Sequence, residues 1–175
     1  AGMTLPEILR TQGLEAFLEI EGQVGQALEC ENTVIATGGS MVLSQAAMEH
    51  LREKGIEYYD FGCYSTESMD YPTVAEPLAQ AIADGTYERG ILICGTGIGM
   101  SIAANKVKGI RAACCENAFS AQMAREHNDA YILCLGARVL GPAVALTMVD
   151  AFLNSSFAGG RHCNRVNLIS EMECK

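Results

Sequence analysis

Residues 90–101 read Gly-Ile-Leu-Ile-Cys-Gly-Thr-Gly-Ile-Gly-Met-Ser. The run from Ile91 to Cys94 is apolar without alternation, the pattern of a short strand buried on both faces. Glycines at 95, 97 and 99 interrupt it, and a helical stretch then runs to about Lys106. A strand, a glycine turn and a helix in that order make one half of a parallel β-α-β unit.

The same alternation extends in both directions. Upstream, Thr33–Ala36 reads as a short buried strand. Gly38, Gly39 and a capping Ser40 lead into a helix that closes at Gly55. Ile56–Phe61 reads as a second strand, followed by a polar loop and a helix from Pro72 to about Asp84. Downstream, strands are expected at Ile110–Cys114 and Tyr131–Leu135. Helices are expected at Ala118–Glu126, Pro142–Leu153 and Val166–Met172. Leu14, Phe17, Leu18, Val24 and Leu28 keep roughly helical spacing near the start, behind a shorter apolar stretch at Leu5–Arg10. The sum is an α/β chain: a doubly wound, five-stranded parallel sheet in three layers, flavodoxin-like or Rossmann-like, with an N-terminal helical extension. Such sheets bind ligands beyond the carboxyl ends of their strands. The loops after the first, third, fourth and fifth strands are therefore the candidate site.

Composition narrows the classes of function. The chain has 175 residues, 12 Lys and Arg against 21 Asp and Glu, and a net charge of −9. That balance excludes a nucleic acid or an anionic membrane as the main partner, since a phosphate surface needs a basic face. With 49% hydrophobic and 19% charged residues, the chain has the means to fill a core. No apolar run approaches a membrane span and no basic-then-apolar leader opens the chain, so a cytoplasmic protein is expected. Ala1-Gly2 ahead of Met3 reads as a cloning remnant. Eight cysteines are scattered one per element, with no C-x-x-C pair. This fits reduced thiols used as small apolar side chains, with no metal site and no cofactor. It also leaves little basis for a thiol redox protein.

The glycine loop carries the chemistry. Its backbone N–H groups and the start of the following helix suit an anion or a developing oxyanion. The spacing is G-x-G-x-G, neither the dinucleotide fingerprint nor a Walker A loop. Geometry alone also allows a tight turn that merely packs a helix on a sheet. Cys94 adds to the signal: it ends a buried strand just before a helix start, a setting that favours a thiolate nucleophile or base. Arg161 and Arg165 are spaced i, i+4 and can share one phosphate, or form a solvated face. His127 alone fits a helix-end histidine, Asn128 a helix cap, and Tyr71 before Pro72 simple packing.

Several segments in order, ILICGTGIGMSIAANKVKGIRAA, AREHNDA, LGARVLGP and VDAFLNSSFAGGRHCNRV, resemble ribose-5-phosphate isomerase of the B type and its galactose-6-phosphate isomerase relatives. DFG at 60–62 and DYP at 70–72 belong to the same resemblance, which runs from about His50 to Met172. It implies an aldose–ketose isomerisation of a phosphorylated pentose through an enediolate. Cys94 would be the base, and Thr96 with the N–H groups of Gly95, Gly97 and Gly99 would hold the enediolate oxygen. His127 would open the sugar ring beside Asn128, and Tyr71 would line the pocket. Arg161 and Arg165 would bind phosphate with help from Arg138. His162, between the two arginines, would orient its neighbours or face solvent, and His50 would lie on the surface. The resemblance further implies a homodimer, or a dimer of dimers, with a composite site to which the partner contributes His127 and Arg138.

The first 50 residues depart from that family. Its first strand ends in an Asp-His pair, whereas here the strand and turn read Val34-Ile-Ala-Thr-Gly-Gly-Ser40. LPEILRTQGLEAFLEIEGQVGQAL and TVIATGGSMVLSQAAMEHLRE instead resemble an internal piece of shikimate kinase. The kinase P-loop and lid are not in the sequence, the expected substrate arginine is Leu18, and the third glycine of the turn is Ser40. Kinase activity is therefore not expected. The expectation is a hybrid chain, with residues 1–31 a kinase-like helical segment and 32–175 an isomerase-like domain. The first strand and helix of that domain, 32–54, come from the kinase-like part. Either the isomerase persists, full or weakened, or the chain folds without useful turnover as at most a phosphosugar-binding module.

Overall fold

The computed structural model describes residues 34–35, 59–62 and 69–173. Most of the expected kinase-like segment, including its helices and His50, lies outside the described residues. So does most of the strand expected at 56–61, of which Tyr59, Asp60 and Phe61 are described and are not in a strand. Numbered in chain order, the elements are β1 (Val34–Ile35), α1 (Pro72–Ala83), β2 (Gly90–Cys94), α2 (Ile98–Ala104), β3 (Ala112–Cys114), α3 (Ala118–Asn128), β4 (Ile132–Gly136), α4 (Pro142–Leu153) and α5 (Arg161–Met172).

The strands form a parallel sheet in the order β1-β2-β4-β3. Val34 pairs with Gly90, Cys94 with Gly136, and Cys114 with Cys134. The chain moves from β2 past the place of β4 to β3 and then returns. Helices cover both faces. Val74, Leu78, Ile82, Met100 and Ala104 from α1 and α2 pack on Leu92, Ile132 and Cys134. Ala121, Ala124, Met148, Val149 and Phe152 from α3 and α4 pack on Ile91, Leu133 and Leu135. Alternate residues of β2 and β4 thus enter opposite layers, as a pleated strand requires, and this is why both strands read as continuous apolar runs.

Three boundaries follow from local chemistry. Pro142 opens α4 at a position where its missing N–H costs nothing. Asn117 caps α3 by accepting from the Ser120 N–H at 2.9 Å. The last helix begins at Arg161, five residues ahead of the expected Val166. Gly159 and Gly160 take φ of +64° and +55° and reverse the chain, and the helix starts at once behind them. Its first turn, Arg161-His-Cys-Asn164, is polar, so the apolar pattern shows only from Val166 onward.

β3 is an edge strand among the described residues, and a side chain covers it. Asn105, just after α2, donates through Nδ2 to the Ala112 carbonyl at 2.8 Å and accepts the Ala112 N–H at 2.9 Å. Ser101 Oγ also donates to that carbonyl at 3.3 Å.

Candidate active site

At the carboxyl end of β2 the chain leaves the sheet through Cys94, Gly95, Thr96 and Gly97. The Gly97 N–H donates to the Cys94 sulfur at 3.2 Å. Gly97 takes φ +77°, and a Cβ there would meet Cys114 Sγ at 2.9 Å and the Leu135 carbonyl carbon at 3.0 Å. Only glycine suits this position. The first turn of α2 leaves the N–H groups of Ile98, Gly99 and Met100 without an i−4 carbonyl inside the helix. The loop is therefore a donor surface beside a half-buried thiol, although the Gly97 N–H is spent on that thiol.

Tyr71 and Arg138 close on this loop. Tyr71 stands at the start of α1, and its ring lies so near Gly99 that a Cβ would fall 2.6 Å from Cζ. Two backbone bonds pin the chain after β4 to the loop: Ala137 N to Cys94 O at 2.8 Å and Arg138 N to Gly95 O at 3.0 Å. The Arg138 guanidinium then lies beside Gly95, with Nε 3.6 Å from where a Cβ would stand. Within one chain Arg138 therefore lies beside the Cys94 loop and not beside His127, the residue it was expected to accompany into a partner's site.

Other thiols crowd the same end. Cys114 Sγ contacts the Thr96 carbonyl at 3.6 Å. Burial raises its pKa, and Glu116 and Cys94 raise it further. Burial pushes the Cys115 thiol up to about 11 and also raises that of Cys134. These two are the buried, inert kind expected from the sequence, whereas Cys114 and Cys163 are exposed.

His127, Asn128, Arg161 and Arg165 are elsewhere. Helix α3 starts beyond the carboxyl end of β3 and runs back along the sheet, so its last turn reaches the amino ends of the strands. The Arg111 Nε, just before β3, donates to the Asn128 carbonyl at 2.9 Å. The Tyr131 N–H, just before β4, donates to Arg111 O at 2.9 Å. From this end to Cys94 is at least the length of β2, about 13 Å at roughly 3.3 Å per residue. Among the described residues the candidate groups thus gather at opposite ends of one sheet: Cys94, Thr96, the glycines, Tyr71 and Arg138 at one, His127, Asn128, Arg161 and Arg165 at the other.

The His127 end is built by contacts the sequence did not disclose. Asp129, directly after Asn128, takes the left-handed conformation at φ +45°, so the helix ends there and Asn128 is its last turn rather than its cap. Its carboxylate accepts from Arg125 Nη1 at 2.9 Å and from Arg111 Nη2 at 3.0 Å. Arg125 is 3% exposed and also donates to the Ala130 carbonyl. Burial lowers its pKa, Arg89 adds to that, and Asp129 opposes both. An Arg four residues before an Asp was the visible signal for this pair; Arg111, from another element, left none. On the other side, the Ala158 N–H donates to the Glu126 carbonyl at 2.9 Å and ties the start of α5 to the end of α3.

The Ribose/Galactose Isomerase family model matches residues 34–169. A second, weaker match, to the Shikimate kinase model, covers residues 1–59. The two overlap over 34–59, so the isomerase match reaches back through β1, further than the resemblance read from about His50. Ribose-5-P isomerase B of Listeria innocua is 47% identical over 133 residues, 76% of this chain and 90% of that protein. Ribose-5-phosphate isomerase B of Escherichia coli is 48% identical over 132 residues, 75% and 89% of the two chains. The crystal structure of ribose-5-phosphate isomerase B from Mycoplasma genitalium with bound ribulose-5-phosphate superposes with a TM-score of 0.73 at 35% identity, over 82% of this chain and 97% of that one. With the matched span holding the glycine loop, the Arg138 turn and the His127 helix end alike, the chain belongs to the ribose/galactose isomerase family.

Proposed function

We propose that the protein interconverts ribose 5-phosphate and ribulose 5-phosphate through an enediolate. The observation that carries this reading is the Cys94 sulfur, half-buried at a strand end and hydrogen-bonded by the Gly97 N–H beside a loop of further backbone donors. As thiolate, Cys94 removes the proton from the carbon next to the open-chain carbonyl and returns it to the neighbouring carbon. The carbonyl oxygen gains charge in this step and is met by N–H groups of the loop and by Thr96. His127, with Asn128 beside it, moves the proton that opens the cyclic sugar. Arg161 and Arg165 take the phosphate, and Tyr71 and Arg138 line the thiol end.

A single chain presents these groups at two ends of its sheet, so the reading includes a homodimer in which one subunit's Cys94 end meets the other's His127 end. Exposed Ile98, Ile102 and Phe119 at the carboxyl end of the sheet favour such an association.

One feature favours a second reading, binding without turnover. The sequence from Thr37 to Met41 holds neither Asp nor His, and a missing acid–base group in ring opening costs roughly 10²–10⁴-fold. The deciding experiment is turnover of ribose 5-phosphate by the purified chain with Cys94→Ala as control. Turnover lost in the control supports the isomerase. A rate equal to that of the control leaves the binding reading.

A further inference from the structure

His162 is a polar side chain only 8% exposed, at the second position of α5. Its imidazole lies flat on that of His127, with ring centroids 4.2 Å apart and planes 6° from parallel. Nothing about this contact is loose. The positive-φ pair Gly159 and Gly160 turns the chain into α5, the His162 N–H donates to Gly159 O at 3.0 Å, and Ala158 is bonded to Glu126, next to His127. The backbone on both sides of the stack is thereby held to one helix end. The His127 backbone is fixed in turn by the helix stop at Asp129.

We propose that His162 is a positioning residue for His127: the stack sets the plane of the His127 ring and restricts the pair to one proton. This rests on the reading of His127 as the ring-opening group. Two stacked imidazolium rings repel, so the second proton is resisted whichever ring takes the first. The charged groups acting on His162 are His127 from α3 and Arg161 and Arg165 from its own helix, all positive or able to be. The pKa of His162 is lowered accordingly, by burial first and by these three neighbours after it. A neutral, flat partner leaves His127 free to gain or lose the proton in ring opening. It also keeps a third fixed cation out of the arginine pair.

The test has two arms. The first needs no turnover: histidine titrations are followed by NMR in the wild-type chain and in His127→Asn. Removing the neighbouring charge should move the His162 titration to higher pH. An unchanged titration overturns the proton coupling, and with it the proposal, whether or not the chain is an active isomerase. The second arm measures kcat and KM for ribose 5-phosphate in His162→Ala and His162→Phe, with inhibition by inorganic phosphate alongside. His162→Ala should lose about tenfold or more in kcat with phosphate inhibition unchanged, and His162→Phe, which restores a flat ring, should recover most of it. Equal loss of phosphate binding in both variants would place His162 in the anion grip and overturn the positioning role. A wild type with turnover no better than Cys94→Ala would defeat the isomerase reading and leave the titration arm to decide the pair.

Discussion

Cys94 and His127 stand at opposite ends of the same parallel sheet, one as the last residue of β2 and the other in the helix turn beside Arg111 and Tyr131. No sugar phosphate can touch both within one chain. The homodimer proposed above therefore predicts subunit complementation. Cys94→Ala and His127→Asn should each be impaired alone. Mixed under conditions that exchange subunits, they should recover up to about a quarter of wild-type turnover, because half the dimers then carry one intact site of two. Recovery no greater than the sum of the two separate rates would remove the composite site.

Gly97 carries a backbone conformation and a contact that alanine cannot satisfy. Gly97→Ala should lower stability by about 1–3 kcal/mol, from strain at positive φ and from the Cβ pressed on Cys114 and Leu135. Thermal melting and urea denaturation measure this. An alanine variant as stable as the parent would contradict the loop geometry.

Asp129 pairs with two guanidinium groups at the end of α3. Asp129→Ala strands the buried Arg125 and should cost about 2–4 kcal/mol, somewhat below a fully buried pair because Asp129 itself is partly exposed. Asp129→Asn keeps a residue that tolerates the left-handed conformation, so it should be milder than alanine. Equal stability of the two variants in urea would mean that charge and not backbone shape is what matters there.

The lowered pKa of His162 has a signed consequence for stability. As pH falls through its ordinary value of 6.5, the unfolded chain binds a proton that the folded chain resists. Stability contributed by neutral His162 is thus present above that pH and declines below it, until the folded histidine is itself protonated. Urea midpoints measured between pH 8 and pH 5 should fall toward acid, and His162→Phe should flatten that part of the profile. A parallel decline in the variant would assign the effect to other groups.

Much of this architecture was legible before any coordinates. Ile91, Leu92 and Ile132–Leu135 are buried and enter opposite layers in alternation, so these apolar runs read as strands covered on both faces. The Gly95–Gly99 turn was visible because a strand fed it and a helix followed. What escaped were contacts between distant segments. Nothing near Arg111 in sequence says that it reaches Asp129, and nothing in Arg-His-Cys-Asn says that the second residue stacks on a histidine 35 positions earlier, as subtraction of 127 from 162 gives. The early start of α5 was hidden because its first turn is polar. That Arg138 lies beside the Cys94 loop was not visible either, because its place depends on two backbone bonds to that loop.

The Asn105 side chain presents to Ala112 the same donor and acceptor that a neighbouring strand would. A sheet margin with open amides invites foreign strands, and here that invitation is withdrawn by a single carboxamide. At Ala112, then, a second chain could add its backbone only by first displacing Asn105. Replacing Asn105 would expose that amide and carbonyl and should make strand-to-strand aggregation easier.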